Sequence, residues 1–211
     1  MRAVRRLLVF LIVATLIVGL AGLADVVIRH RVETTIATKI DQGVPGSSAQ
    51  VRISSFPFLG RLAASGNVSK LAAHVTGVVA ESVRFDTVDV VVTDVKVDRN
   101  ELVNGKVQIR SIRQATITGV VSQASLDRQV GLPLTLGAGT VGVAGAQVPA
   151  TVAVVNNRIR IQVPPLKPIS ITLPLTDLLP CIGGASLQPG RLVVTCATDH
   201  LPAALDGGAS F

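Results

Sequence analysis

From Ala49 onward apolar residues recur at every second position, and this periodicity most restricts what the chain can become. Val51 and Ile53 alternate with Arg52 and Ser54. Val83 and Phe85, then Val88, Val90 and Val92, then Val95 and Val97 carry the pattern on between Asp and Thr residues. A period of two turns one side of each segment toward a core and the other toward water, as half-buried strands require. With 34 Val, 14 Ile and 16 Thr among 211 residues, about 30% of the chain is β-branched, a composition that favours strands.

The second half carries sharper turn signals. Thr151–Val155 and Arg158–Val163 flank Asn156-Asn157, a two-residue loop whose residues tolerate positive φ. Pairing across it sets Val154 opposite Ile159 and Val152 opposite Ile161 on one face, with Arg158 and Arg160 on the other. Ala185–Gln188 and Arg191–Thr195 flank Pro189-Gly190 as a second hairpin. Pro164-Pro165 end the first hairpin, and Ile169, Ile171 and Leu173 alternate in a further strand. Lys106–Val121 supplies one long strand or two after a turn region at Asp98–Gly105. Arg61–Gly66 leads into another extended stretch. Ser122–Gln129 reads as a short helix with a Ser cap, and Leu175–Leu179 as one helical turn.

The N-terminal part is different. Ile28, Val32, Ile36 and Ile40 recur every four residues, which predicts an amphipathic core-packing helix over Asp25–Gln42, capped by Asp25 and ended by Gly43-Val44-Pro45-Gly46. Before it, Arg2, Arg5 and Arg6 precede Leu7–Ala24, 18 residues without a charge. Two readings fit this run. It is a signal peptide cleaved after Ala24, where Gly22 and Ala24 are small residues at −3 and −1. Alternatively it is an uncleaved anchor, since about 18 helical residues just span a bilayer. Both place residues 25–200, a single domain, outside the cytoplasmic membrane, in the periplasm or cell envelope. Residues 201–211 form a flexible tail. An oxidising compartment then favours a Cys181–Cys196 disulfide across the second hairpin.

Several functions are disfavoured. Five Phe with no Tyr or Trp leave no aromatic platform for sugars or nucleic-acid bases. Basic residues are scattered: without the three leading Arg, 17 Lys and Arg face 13 Asp and Glu, a net +4. That balance suits a solvated surface or anionic headgroups better than a duplex. Gly137-Ala138-Gly139-Thr140-Val141-Gly142 matches the dinucleotide fingerprint, but neither a helix nor an acidic residue follows at the needed distance. It reads as a turn between strands, with no nucleotide. His30, His74 and His200 lie too far apart in sequence for a metal motif, and there is no nucleophile elbow. The expectation is therefore no catalytic residues, no metal and no cofactor.

Phe56-Pro57-Phe58-Leu59 concentrates two of the five Phe beside a Pro between strand segments. With an exported N-terminus, an amphipathic helix, this segment, Gly66, Val-rich strands, the Val-rich hairpin and a Pro-interrupted C-terminal part, the chain over about residues 25–198 resembles the actinobacterial LmeA-like phospholipid-binding proteins. That family is associated with lipomannan elongation in the mycobacterial cell envelope. The resemblance implies an α+β fold, a long N-terminal amphipathic helix wrapped by a curved, mostly antiparallel β-sheet, similar to a tubular lipid-binding roll. It implies an apolar cavity for anionic, phosphoinositide-like phospholipids and contact with a membrane surface. Val152, Val154, Ile159 and Ile161 would wall the cavity, as would the helix. Phe56, Phe58 and Leu59 would lie near its opening, and Arg61 or Lys70 would meet a phosphate. A structural scaffold without lipid is the alternative; a lipid hydrolase is a more distant one.

Overall fold

The computed structural model describes residues 2–44, 46–80, 83–98, 100, 109–131, 133–143, 145–155, 158–164, 168–172 and 183–199, with side chains from Gly22 onward except at Ala80, Val83, Val130, Val143, Val155, Ile169, Ile171 and Thr172. It is an α+β structure of three described helices and mostly antiparallel open sheets. Helix α1 (Arg2–Gly43) leads into strand β1 (Ser48–Ile53), helix α2 (Phe58–Ser65), and the long strands β2 (Asn67–Ala80) and β3 (Val83–Val97). Then come β4 (Ile109–Ser111), β5 (Gln114–Ser122), helix α3 (Gln123–Val130), β6 (Leu134–Leu136), β7 (Thr140–Val143) and β8 (Ala146–Pro149). The chain continues through β9 (Thr151–Val155), β10 (Arg158–Gln162), β11 (Ile169–Thr172), β12 (Gly184–Gln188) and β13 (Arg191–Thr198).

The main sheet has seven strands in the order β1-β2-β3-β5-β13-β12, with β4 also on β3; β11-β10-β9 and β6-β7-β8 form two three-stranded sheets. Both expected hairpins are present. Val154 pairs with Ile159 and Val152 with Ile161, as the alternation required. Gln188 pairs with Arg191 across Pro189-Gly190, with Gly190 at φ +71°. The glycine-rich stretch is a turn between β6 and β7, closed by Gly137 N–H donating to the Thr140 carbonyl at 2.9 Å. The Ser122 hydroxyl caps α3 by accepting from Ser125 N–H. Asn156-Asn157, Leu175–Leu179, Cys181 and the 201–211 tail lie outside the described residues.

Two sequence readings are corrected. Asp25 does not cap a helix starting there, because α1 runs unbroken from Arg2. Ile28 is exposed rather than in the core, while Val32 packs against buried residues. Arg61–Ser65 belongs to α2, and the extended stretch it leads into is β2. Helix α1 lies along the edge strand β1, and the fit is set by carboxylates. Asp41 Oδ1 accepts from Ala49 N–H at 2.7 Å, and Glu33 Oε1 from Ile53 N–H at 2.7 Å. Asp25 Oδ2 and Oδ1 accept from Phe58 and Leu59 N–H at 3.0 and 2.6 Å. Eight helical residues rise about 12 Å and four extended residues about 13 Å, so carboxylates eight apart meet edge N–H groups four apart. These donors would otherwise be unpaired at a sheet edge and a helix N-terminus.

Two hydrophobic clusters form on one face of the main sheet, here called the inner face. The first joins Ile53, Phe58, Val68 and Val95, with Val32, Leu62, Leu71 and Val92 against it. The second joins Phe85, Val121, Leu126, Leu187 and Leu192 with Leu134, Leu136, Val141, Ile159, Ile161 and Val163 of the smaller sheets. The β2–β3 hairpin serves both by losing its alternation twice. Phe85 and Val88, three residues apart, share the second cluster, and Val92 and Val95 share the first. Positive φ at Gly77 (+73°) and Asp94 (+49°) marks the two slips.

Candidate functional site

The site is the part of the inner face that neither cluster covers. The strand registers align side chains in rows across the sheet. Ile53, Leu71, Val92 and Ala115 form one row at the first cluster. Val75, Val88, Gly119 and Val194 form another, in which Val88 and Val194 pack on the second cluster. Between them Val51, Ala73, Val90, Ile117 and Cys196 stand in register across five strands. None of these five belongs to either cluster. Ala73 and Cys196 are small and buried, whereas Val51, Val90 and Ile117 are half-exposed.

The residue types explain the shape. Ala49, Ala73, Ala115, Gly119 and Cys196 keep the floor low, and the branched side chains between them form ridges. Gly119 is favoured for a second reason: a Cβ there would lie 3.0 Å from the Phe85 ring. The row is therefore an apolar strip, here called the trough, whose side chains carry no hydrogen-bonding group beyond one sulfur. A row of this kind can take a flexible hydrocarbon chain. Helix α1 borders it at the β1 edge through Glu33 and Asp41, with Ile36 and Ile40 half-buried.

The residues expected to line a site fall into two separated groups. Ile159 and Ile161 are fully buried in the second cluster, with Val152 and Val154 packed against it. Phe58 is buried in the first cluster and Leu59 packs on it. Phe56 is 71% exposed. Arg61 is exposed and donates from Nη1 to Ser69 Oγ at 2.6 Å; Lys70, the next residue, is also exposed. The structure thus brings Phe56, Phe58, Leu59, Arg61 and Lys70 to the α2 end and leaves the hairpin residues at the other. Cys196 sits in the trough row, and no described cysteine is free.

Two features escaped the sequence reading. Val51, Val90 and Ile117 were recognisable as strand residues, but only the register aligns them. Asp25, Glu33 and Asp41 are the only acids in α1, and their spacing of eight was the available signal. Elsewhere, His74 Nδ1 and Asp89 Oδ1 lie 2.6 Å apart on the opposite face of the sheet, both about half-exposed. Among the described residues no group of three His, Cys, Asp or Glu is placed to hold a metal. Among residues whose side chains are described, no helix is long and apolar enough to cross a membrane; the run Leu7–Ala24 lies almost wholly before them.

Comparison with curated proteins and with solved structures gives no match. The family model described as LmeA-like phospholipid-binding matches residues 21–197, which takes in α1 from its Ala21 and every strand of the main sheet. The chain belongs to the LmeA-like phospholipid-binding family.

Proposed function

We propose that this chain is a non-enzymatic protein of the cell envelope that holds phospholipid by its acyl chains along the inner-face trough. The observation that carries this reading is the row Val51–Ala73–Val90–Ile117–Cys196, apolar, continuous across five strands and left partly open between two packed clusters. Each methylene removed from water there contributes about 0.8 kcal/mol, so a modest length of chain binds without polar contacts. Arg61 and Lys70, exposed at the α2 end, supply positive charge for an anionic, phosphoinositide-like headgroup. On this reading the sheet curves over α1 and the bound lipid, and the protein is exported and serves envelope lipoglycan (lipomannan) synthesis as a lipid carrier.

The test is lipid retention in a variant that keeps the fold. The purified full chain should release phospholipid into organic solvent, identified by mass spectrometry. Val90→Glu places a carboxylate in the half-exposed centre of the trough and should abolish stoichiometric retention while far-UV circular dichroism is unchanged. Equal retention by wild type and V90E would refute the trough as the site. Wild type free of lipid and inert to anionic vesicles would leave the scaffold reading in its place.

A further inference from the structure

Most exposed large apolar side chains among the described residues are gathered at one place. Leu23, Val26, Val27 and Ile28 are 66, 48, 55 and 40% exposed, and Phe56 is 71% exposed. Val79, at the far end of β2, is the exception. The Asp25 carboxylate joins the two parts of the patch: its bonds to Phe58 and Leu59 N–H hold the start of α2, with Phe56 two residues before it, beside this turn of α1. Successive helical residues step by about 100°, so Leu23, Val26, Val27 and Ile28 cover the whole outward side of α1, away from buried Asp25. The composition then changes abruptly. From Arg29 onward the outward side carries His30, Arg31, Thr34, Thr35 and Thr38.

We infer that this patch is a membrane-contact collar, with Phe56 and the Leu23–Ile28 turn set into the lipid interface and Arg29, Arg31 and Arg61 at headgroup level. Continuity names the occupant. The collar is the end of the same unbroken helix that contains the uncharged run Leu7–Ala24. Asp25 is the one charge between Leu7 and Ile28, and it is 3% exposed and bonded to α2, turned away from any lipid. Read this way the apolar sequence spans 22 residues, not 18. At 1.5 Å per residue that is about 33 Å, a closer match to about 30 Å of hydrocarbon. Basic residues directly beyond an apolar helix end are placed to meet anionic headgroups. The inference rests on the proposed lipid-binding role: it sets the α2 end of the sheet at the membrane, with the first cluster between that end and the trough.

The absence of Trp makes the test direct. Phe56→Trp gives the chain a single fluorophore at an exposed site, and Val79→Trp provides one at the far end of β2. Each full-length variant is reconstituted into vesicles of phosphatidylcholine and phosphatidylglycerol, with increasing fractions of the lipid brominated in its acyl chains. The F56W emission should shift to the blue and lose most of its intensity as the brominated fraction rises, while V79W keeps a solvent-like spectrum and its intensity. A solvent-like, unquenched F56W spectrum overturns the collar, as does equal quenching of both variants. Ile117→Trp in the same vesicles reports the trough separately. Quenching of I117W with F56W unaffected would leave the lipid-binding role standing without the collar. Quenching of F56W with I117W unaffected would leave the collar without the trough.

Discussion

Replacing Asp25 by Asn tests whether a carboxylate on one helix organises the start of another. Pro57, the residue before α2, has no side-chain hydrogen bond to the helix, so Asp25 is the described side chain that accepts from its first N–H groups. The substitution keeps size and burial but removes the charge and half the accepting capacity. Hydrogen bonds to charged groups contribute about 1.5–3 kcal/mol each and neutral ones about 0.5–1.5. One of the two N–H donors would also face the new amide or lose its partner. The expected loss is about 2–3 kcal/mol, comparable to the upper range for helix caps. For a domain of this size, each kcal/mol lowers Tm by about 2–4 °C, so D25N should melt about 5–10 °C below wild type. Far-UV circular dichroism of the full chain in detergent gives the transition, and hydrogen exchange at Phe58–Ser65 locates the loosening. Asp41→Asn, which exchanges one bond from Ala49 N–H to a carboxylate for one to a neutral amide oxygen, should cost about 1 kcal/mol. A D25N protein melting with wild type, with α2 equally protected, would show that the carboxylate does not hold this junction.

Other substitutions probe the sheet and its cores. Ile159→Ala empties a fully buried position in the second cluster and should destabilise by about 2–5 kcal/mol in urea unfolding. Gly119→Ala drives a methyl into the Phe85 ring and should cost about 1–3 kcal/mol, with Phe85→Leu in the same chain recovering part of it. If Cys181 bridges Cys196, intact mass should show a two-proton deficit. Reduction should then cost about 3 kcal/mol, by the chain-entropy model for a loop of this size.

Sequence legibility followed the range of the interactions. The β9–β10 register was readable because a two-residue loop of a residue type that tolerates positive φ leaves one way to pair two alternating segments. The α3 cap was readable because Ser122 bonds a residue three positions away. The carboxylates of α1 act over 8, 20 and 33 or more residues, and a carboxylate bonding a backbone N–H demands no matching side chain. No pattern therefore marks the partner. Likewise, Phe58 and Ile159 both read as buried apolar residues. Nothing local states that one packs under α2 and the other under the smaller sheets.

The slips in the β2–β3 hairpin explain why a trough exists at all. Strict alternation along β2 and β3 would carry Val78 and Phe85 to the face opposite Val75 and Val88, and Val68 and Val95 opposite Leu71 and Val92. Each cluster would then lose central residues, among them Phe85, which is 1% exposed. By slipping once at Gly77 and once at Asp94, the hairpin presents apolar residues to the inner face at both ends and through the middle. Its 14- and 15-residue strands then outrun the packing at either end, and the row through Ala73 and Val90 is left between. Gly77 is the sensitive point, because its φ of +73° disfavours any side chain and a Cβ would lie 3.1 Å from the Gly46 carbonyl oxygen. Gly77→Val should therefore cost about 1–3 kcal/mol in strain. It should also shift the β2–β3 register or loosen Phe85, read as faster hydrogen exchange at Val78–Phe85 than at Val92–Val95. Uniform destabilisation, with exchange rising equally at both ends, would mean that the slip is not what divides this face into two cores.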